Sequence, residues 1–318
     1  MLQPLKLSAI PTPLQRLDAL EGPLGVELWV KRDDTTGFGL SGNKVRKLDY
    51  LMAEAVHRGA DTVITCGGIQ SNHCRATAIA ARRLGMDPVL LLRGKPQGAP
   101  DGNLLLDRIL GARISWTDDR GYERRDAQMA AIADGLRASG RRPYVIPEGG
   151  SNATGALGFV RAGRELARQA QARGLRFDTI VCAVGSGGTL AGLAMAGLDA
   201  EVLGVAVCDD RSSFRRRVQQ IGAEAEQRYQ VALPGDGWDV LEGFQGEGYA
   251  RTTPDELRNQ VAFSRATGLF LDPVYTGKAW QAVLALAPTG RLGRRVLFWH
   301  TGGTFGIFGR GAEYEPVL

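Results

Sequence analysis

The chain has 318 residues, of which 44% are hydrophobic and 23% are charged, and its formal net charge is +5. This balance is typical of globular proteins and argues against a disordered chain. Arginines and lysines are spread among acids, without a dense basic run interleaved with aromatic residues, so nucleic-acid binding is not predicted.

Short apolar runs alternate with helical patterns along the chain. The predicted strands are DTVITCGG, DPVLLLRG, ARISWT, RPYVIPEGG, DTIVCAVGSGG, AEVLGVAVCDD, LFLDPVYTG and RRVLFWHTGG. The predicted helices between them include HCRATAIAARRLGM, DAQMAAIADGLRASG and TGALGFVRAGRELARQAQARG. This alternation predicts an α/β fold whose parallel sheets are covered by helices on both faces. The turn-rich segment EGGSNATG, residues 148–155, is the predicted crossing between two domains.

The first unusual feature is a lysine at the start of a predicted helix. In SGNKVRKLDYLMAEA, residues 41–43 predict a turn, and Lys44 follows in the first helical turn. The helix dipole and partial burial would both disfavour the ammonium, so both would lower the pKa of Lys44. An amine that loses its proton readily can form a Schiff base with an aldehyde. An exposed lysine without a special role is the ordinary alternative.

The segment GGIQSNHCR, residues 67–75, places polar groups between a predicted strand and a predicted helix. These groups belong to Gln70, Ser71, Asn72 and His73. Amide, hydroxyl and imidazole groups at a helix start can bind a carboxylate. Capping of the helix by Ser71 or Asn72 explains the same pattern. His73 alone is more often structural than a base.

The clearest candidate binding loop lies in VCAVGSGGTLAGLAMAG. After an apolar strand come Gly185, Ser186, Gly187, Gly188 and Thr189. Backbone N–H groups of such a loop can bind a phosphate, and the two hydroxyls can add donors. We expect a side chain at Gly187 to block the approach of that phosphate. A plain turn between strand and helix is the alternative.

The same loop also allows the alternative that the protein is a nucleotide-dependent oxidoreductase. Its fingerprint is G-x-G-x-x-G, and Leu190 stands where the third glycine would be. Asp209 and Asp210 follow the next predicted strand, where a ribose-binding acid would lie. A phosphate loop combined with a lysine that can form a Schiff base points instead to pyridoxal phosphate, PLP.

Four cysteines and three histidines limit the metal and disulfide chemistry. The cysteines are Cys66, Cys74, Cys182 and Cys208. Because none of them forms a CxxC pair, neither a metal site nor a disulfide framework is predicted. The sequence lacks a signal-peptide pattern and an apolar stretch of membrane-spanning length, so we expect a cytoplasmic protein without a membrane partner.

Eight sequence blocks resemble, in order and spacing, the family of D-cysteine desulfhydrases and 1-aminocyclopropane-1-carboxylate deaminases. They are PTPL (11–14), VKRDD (30–34), SGNKVRKL (41–48), GGIQSNH (67–73), RPYVIPEGGSN (142–152), GSGGTLAG (185–192), LDPVYTGKA (271–279) and HTGG (300–303). The resemblance implies fold type II of the PLP enzymes, with two doubly wound, Rossmann-like α/β domains and PLP in the interdomain cleft. It implies a large domain of residues 1–47 and 157–318 and a small inserted domain of residues 48–156.

The resemblance also implies how the cofactor would be held. Lys44 would bind PLP covalently and later move the Cα proton of the substrate. Asn72 would hydrogen-bond the phenolic oxygen of PLP, and Thr301 would face its pyridine nitrogen. The loop 185–189 would bind the phosphate. Lys47, which lies outside the family's Asn-Lys pair, is assigned to solvent or to a structural pair.

For the substrate, the resemblance implies a second set of residues. Ser71, with its neighbours Gln70, Asn72 and His73, would receive the carboxylate. Tyr275 would lie beside the reacting carbons, Tyr249 would line the pocket, and Thr276 would contribute to the substrate site. The partner implied is a small amino acid, and the implied assembly is a homodimer.

The resemblance implies β-elimination of a thiol from D-cysteine, which gives pyruvate, ammonia and hydrogen sulfide. Ring-opening deaminases of the family carry glutamate where this chain has Thr276, and leucine where it has Thr301. A carboxylate near the pyridine nitrogen would keep that nitrogen protonated, and difficult ring opening requires this protonated form. A neutral hydroxyl favours the protonated form less. 1-Aminocyclopropane-1-carboxylate deaminase, L-cysteate sulfo-lyase and a non-catalytic amino-acid-binding protein remain alternatives.

Overall fold

The computed structural model describes residues 2–95 and 98–318 and contains two sheets surrounded by helices. The strands are β1 (Leu14–Arg16), β2 (Glu27–Arg32), β3 (Thr62–Gly68), β4 (Asp87–Arg93), β5 (Arg113–Thr117), β6 (Pro143–Val145), β7 (Thr179–Val184), β8 (Glu201–Ala206), β9 (Trp238–Leu241) and β10 (Arg295–His300). The helices are α1 (Asp18–Leu24), α2 (Lys44–His57), α3 (Asn72–Arg83), α4 (Gly102–Ile109), α5 (Asp119–Tyr122), α6 (Arg125–Ala138), α7 (Ala153–Gln171), α8 (Gly188–Ala194), α9 (Arg211–Tyr229), α10 (Pro254–Thr267), α11 (Thr276–Leu286) and α12 (Gly311–Tyr314).

The larger sheet has the strand order β1-β2-β10-β7-β8-β9, and the smaller sheet has the order β5-β4-β3-β6. Neighbouring strands are parallel except for β1 and β2. The central strand β7 is buried along its whole length, as a parallel sheet covered on both faces requires. The predicted α/β fold is therefore confirmed. The smaller sheet uses residues 62–145 only, which agrees with an inserted domain, although its limits at 48 and 156 stay a prediction.

The strand predicted at residues 269–277 is wrong, because residues 269–275 form an irregular segment and a turn, and residues 276 and 277 already belong to α11. Asp272 is the physical reason for this difference. Its carboxylate accepts hydrogen bonds from the backbone N–H groups of residues 274–276 at 2.8 to 3.0 Å. Pro273 also lacks the N–H that a strand would use. The turn places Tyr275 directly before α11.

A buried ionic network ties the start of α2 to the larger sheet. The guanidinium of Arg46 donates to both carboxylate oxygens of Asp33 at 2.8 Å and to both of Glu165 at 3.0 Å. The ammonium of Lys31 donates to Glu165 Oε1 at 2.5 Å. Burial opposes ionisation of Glu165, but hydrogen bonds from Arg46 and Lys31 outweigh it and hold the pKa of this carboxyl to about 2. Because Arg46 lies two residues after Lys44, the network fixes the helix that carries Lys44.

Replacement of Glu165 by glutamine is expected to lower the free energy of unfolding by about 3 kcal/mol, because two buried cations lose a charged partner. The pKa of Glu165 is lower in the folded state than in the unfolded state, so its contribution is present above about pH 4.5 and is lost as the pH falls towards about 2. Urea unfolding at neutral and acidic pH measures both effects. Substitution of the exposed Glu226 by glutamine is the control. A loss below about 0.5 kcal/mol, the range of surface substitutions, would contradict the assigned role.

Candidate active site

A narrow cleft forms where the ends of β3, β7 and β10 meet the start of α2. Of the predicted site residues, it is lined by Lys44, Asn72, His73, Gly185, Ser186, Gly187, Thr189, Tyr275 and Thr301. The cleft shares several of these residues with a wider cavity of about 360 Å³, which Ser71 and Tyr249 also line. This volume is within the usual range of small-molecule sites. The fold therefore brings together residues that are far apart in the sequence.

Two predicted substrate residues, Gln70 and Thr276, line neither the cleft nor the cavity. Gln70 accepts the backbone N–H of Asn103 at 2.8 Å and donates to Asp101 Oδ1 at 2.7 Å, so it holds the start of α4. Thr276 is fully buried, and its hydroxyl lies 2.8 Å from Asp272 Oδ1. Both side chains are occupied in scaffold contacts, and the structure does not bring them to the site.

Lys44 is the first residue of α2, as the sequence predicts, and it lines both the cleft and the cavity. Desolvation in the cleft lowers the pKa of its ammonium to about 8, against smaller opposing effects of Glu148 and Asp272. Its Nζ lies 6.0 Å from the centroid of the Tyr275 ring. An amine with this pKa can act both as a nucleophile and as a proton carrier near neutral pH.

We expect the amine of Lys44 to react with a small electrophile at lower pH than an ordinary lysine. Only the neutral amine is nucleophilic, and it predominates above about pH 8 because of the lowered pKa. Trace labelling of the cofactor-free protein with acetic anhydride at increasing pH, followed by peptide mapping, measures the midpoint. The exposed Lys6 in the same digest is the internal reference. A midpoint of Lys44 near the ordinary value of 10.5 would contradict this expectation.

Lys47 is buried one turn after Lys44, so of its two predicted assignments the solvent one is wrong and the structural one agrees with its contacts. Its ammonium donates to the carbonyl of Gly149 and to Ser151 Oγ, both at 3.0 Å. Ser151 Oγ in turn accepts the backbone N–H of Gly188 at 3.2 Å. Burial, helped by the nearby charge of Lys44, lowers the pKa of Lys47 well below its ordinary value. The i, i+3 spacing on α2 was the signal that Lys47 lies on the same side as Lys44.

The glycine-rich loop differs from the sequence prediction at Gly187. This residue has a φ of +88°, which side chains rarely adopt. A Cβ at Gly187 would nevertheless meet only ordinary contacts, 3.5 Å from Arg217 and 3.6 Å from Val218 on α9. Glycine is therefore required here by backbone conformation, and a side chain would point towards α9 rather than into the cleft.

At Gly185 and Gly188 it is protein atoms that leave no room for a side chain. A Cβ at Gly188 would lie 2.7 Å from Ser151 Oγ and 2.9 Å from Lys47 Nζ. A Cβ at Gly185 would lie 2.8 Å from the ring of Tyr275. Both distances are too short for a side chain, so these two glycines keep the walls of the site close together.

Ser71 and Asn72 have defined hydrogen bonds at the start of α3. Ser71 Oγ accepts the backbone N–H of Cys74 at 3.2 Å, so the capping alternative is confirmed for Ser71. A hydroxyl that accepts this bond still has its own proton to donate. Asn72 Oδ1 accepts from Asn103 Nδ2 at 2.9 Å, which leaves the amide N–H₂ of Asn72 for other partners. Both residues can therefore donate hydrogen bonds at the site.

His73 lines both the cleft and the cavity, but it is held by the scaffold. Its Nε2 lies 2.9 Å from Thr65 Oγ1. Burial, with smaller effects of the Lys44 and Lys47 charges, lowers the pKa of His73 well below its ordinary value. The imidazole is therefore neutral, which agrees with the structural alternative for this histidine.

Tyr249 and Tyr275 form a hydroxyl pair over the wider cavity. Their Oη atoms lie 2.8 Å apart, and their rings meet edge to face with centroids 6.1 Å apart. Burial raises the pKa of Tyr249 to about 12 and raises that of Tyr275 well above its ordinary value. Both phenols therefore keep their protons near neutral pH. One of these protons lies between the two oxygens, and the other can donate a hydrogen bond to a ligand.

The two acids that favoured a dinucleotide site have local partners. Asp210 caps α9 by accepting the backbone N–H of Ser213 at 2.7 Å. Asp209 pairs with Arg217 at 2.7 Å.

Among the described residues, no group of three or more His, Cys, Asp or Glu side chains could hold a metal ion. In residues 2–95 and 98–318, no helix is both long and apolar enough to cross a membrane.

The donor set of the cleft fits PLP. Lys44 offers an amine with a lowered pKa, and Asn72 offers an amide donor. Thr301 offers a hydroxyl at the end of β10. The loop 185–189 is narrowed by close approach at two glycines, and the buried Nζ of Lys47 reaches it through Ser151, which is compatible with a phosphate site.

Comparisons with known proteins agree with this geometry. Residues 5–302 match the family model described as "Pyridoxal-phosphate dependent enzyme". The chain is 42% identical to the "Bifunctional D-cysteine desulfhydrase/1-aminocyclopropane-1-carboxylate deaminase, mitochondrial" of Arabidopsis thaliana, over 98% of this chain and 81% of the relative. It is 38% identical to the D-cysteine desulfhydrase of Yersinia pestis, over 96% and 94% of the two chains. A crystal structure of an ACC deaminase homologue matches with a TM-score of 0.93 at 38% identity, over 99% of this chain and 96% of that one.

Proposed function

Because the chain belongs to the family of pyridoxal-phosphate-dependent enzymes, we propose that it eliminates a thiol from D-cysteine and gives pyruvate, ammonia and hydrogen sulfide. Family membership removes the nucleotide-dependent oxidoreductase from consideration and makes the chain a PLP enzyme of fold type II. PLP, when bound, supplies the electron sink that stabilises negative charge at the substrate Cα. The chain supplies binding, orientation and proton transfer.

We assign Lys44 to hold PLP because, among the described residues, it is the one lysine that lines either the cleft or the cavity. Asn72 would donate its amide N–H to the phenolic oxygen of the cofactor, and the hydroxyl of Thr301 would face the pyridine nitrogen. The loop 185–189 would receive the phosphate, with the buried amine of Lys47 behind it as a hydrogen-bond donor. These assignments use the groups that remain available after the scaffold hydrogen bonds are counted.

The same geometry supports a division of roles toward the substrate. Ser71 would donate its hydroxyl proton to the substrate carboxylate while it still caps α3. Lys44 Nζ would take the proton from Cα, because its pKa of about 8 allows it to exist as the neutral amine near neutral pH. One of the Tyr249 and Tyr275 hydroxyls would donate to a group at Cβ, since both phenols keep their protons and the pair uses only one of them internally.

The observation that supports thiol elimination over ring opening is the lining of the narrow cleft. Thr301 lines it, and no carboxylate is among its lining residues in the described part of the chain. A carboxylate would favour the protonated form of a nearby heterocyclic nitrogen, and a hydroxyl does so less. This chain is therefore suited to a good leaving group such as thiolate. Thr276 does not line the cleft, and its hydroxyl is bonded to Asp272, so only Thr301 bears on the heterocyclic nitrogen.

The test supplies D-cysteine, L-cysteine, L-cysteate and 1-aminocyclopropane-1-carboxylate separately to the PLP-loaded enzyme. We expect sulfide and pyruvate from D-cysteine, with kcat/KM at least tenfold above that for the cyclopropane substrate, which is about 1.4 kcal/mol in activation free energy. Efficient formation of 2-oxobutyrate would make the cyclopropane deaminase the better assignment. Dominant release of sulfite from L-cysteate would make it a sulfo-lyase.

We also propose that the enzyme is a cytoplasmic homodimer, on the family resemblance. Light scattering of the purified protein distinguishes a dimer from the 34.1 kDa monomer. A monomeric mass at micromolar concentration would contradict the proposed assembly.

A further inference from the structure

Lys278 is a fully buried lysine in α11 whose ammonium is surrounded by backbone carbonyls. It donates to the carbonyl of Gln245, to that of Gly248 at 2.5 Å and to that of Val207 at 3.4 Å. An ammonium has three donors and no acceptor, so these three carbonyls match its capacity. The resulting cage of Val207, Gln245 and Gly248 carbonyls satisfies a charge that would otherwise be costly to bury.

The carbonyl cage joins three segments that reach the wider cavity. Val207 precedes Cys208, and Gly248 precedes Tyr249; both Cys208 and Tyr249 line the cavity. Lys278 itself lies three residues after Tyr275, whose Oη bonds to that of Tyr249 at 2.8 Å. The ammonium therefore holds the loop of one tyrosine against the helix that follows the other.

The loop around Tyr249 needs such an external contact. Its backbone has positive φ at Gly243, Gly246, Gly248 and Ala250. Glycines populate many backbone conformations, so a glycine-rich loop does not define its own shape. Arg310 also donates to the carbonyl of Ala250, the residue after Tyr249, whereas the carbonyl cage includes Gly248, the residue before it. Cations thus hold the loop on both sides of the tyrosine.

We propose that Lys278 is a positioning residue that sets Tyr249 against Tyr275, and that its ammonium occupies a cage able to take a free monovalent cation. Backbone carbonyl oxygens can replace the hydration shell of potassium, and ammonium has a similar size and the same charge. Removal of the side-chain charge should therefore leave a site for potassium or ammonium. The inference rests on the proposed function only in its use of the tyrosine pair during turnover.

The test is Lys278→Met, which keeps the apolar stem of the side chain and removes the ammonium. We expect the PLP-loaded variant to have kcat reduced at least tenfold with a small change in KM, because the misplaced tyrosine affects turnover more than binding. Ammonium or potassium chloride should restore at least a third of the lost activity, and lithium chloride at equal ionic strength should not. Hydrogen exchange of residues 245–250 should be faster in the variant and slower again with ammonium.

The matched control is Lys31→Met, which removes another fully buried ammonium that bonds Glu165 away from the cavity. It should lose stability without recovery of kcat by ammonium. If Lys278→Met does not fold, Lys278→Gln keeps two donors and takes its place. Unchanged kcat in the folded variant, or a loss with unaltered exchange of residues 245–250, would overturn the inference. If wild-type enzyme forms no keto acid, the proposed function fails, while the exchange and cation measurements still decide the role of Lys278.

Discussion

Replacement of Lys44 by alanine is expected to abolish keto-acid formation and the covalent attachment of PLP. The amine serves two purposes in the proposed function, because it holds the cofactor and carries the Cα proton. Loss of a positioned proton carrier alone typically costs on the order of 10²–10⁴ in rate. The measurement is kcat for pyruvate formation from D-cysteine, together with the visible absorption of the purified protein.

The control for this variant is Lys6→Ala, which changes an exposed lysine that lines neither the cleft nor the cavity. It should keep the activity and the yellow colour of the wild-type enzyme. Addition of methylamine to Lys44→Ala should restore part of the turnover, since a free amine can replace the missing proton carrier. Activity of Lys44→Ala above a tenth of the wild-type value would contradict the assignment of Lys44.

Replacement of Gly188 by valine is expected to weaken PLP binding at least 100-fold, which is about 2.7 kcal/mol. A side chain at this position would collide with Ser151 and with Lys47 Nζ, which lies behind the phosphate loop. Either the loop or the side chain of Lys47 must move. Because both would support the phosphate, either movement should weaken PLP binding. Equilibrium dialysis of the cofactor-free protein with PLP measures the dissociation constant.

Gly135→Val is the matched control for the loop variant. Gly135 lies in α6, is exposed, and has no atom within 4 Å of a Cβ placed on it. We expect unchanged or slightly higher helix stability, because valine has a higher helix propensity than glycine, and no change in PLP affinity. An unchanged dissociation constant in Gly188→Val would show that the phosphate binds elsewhere, because the collision does not depend on the flexible end of Lys47 alone: Ser151 Cα also lies 3.0 Å away.

The sequence predicted the central strands well because parallel strands buried on both faces are continuous apolar runs. It did not predict β1, β2 and β9 as strands. β2 carries charged residues at both ends and includes Lys31, which is buried only because Glu165 reaches it from α7. The false strand at 269–277 has strand-like composition, but Asp272 binds three successive N–H groups and turns the chain. Local composition does not report such a side-chain contact.

The candidate site was predictable where one residue and its neighbours were sufficient. The turn before Lys44 and its place at a helix start are local properties, and the structure has both. Ser151 and the burial of Lys47 depend on a contact between α2 and residues 149–151, which periodicity does not reveal. The reason for glycine at Gly187 could not be separated from that at its neighbours, because backbone φ is a property of the folded loop.

Borohydride reduction of the PLP-loaded enzyme, followed by peptide mapping, tests the central claim most directly. Reduction makes the link between PLP and its lysine permanent, so the modified peptide identifies the lysine without an assumption about the substrate. We expect the pyridoxyl group on Lys44. A pyridoxyl group on Lys47 or Lys278, the two other lysines close to the site, would contradict the assignment of Lys44 as the residue that holds PLP.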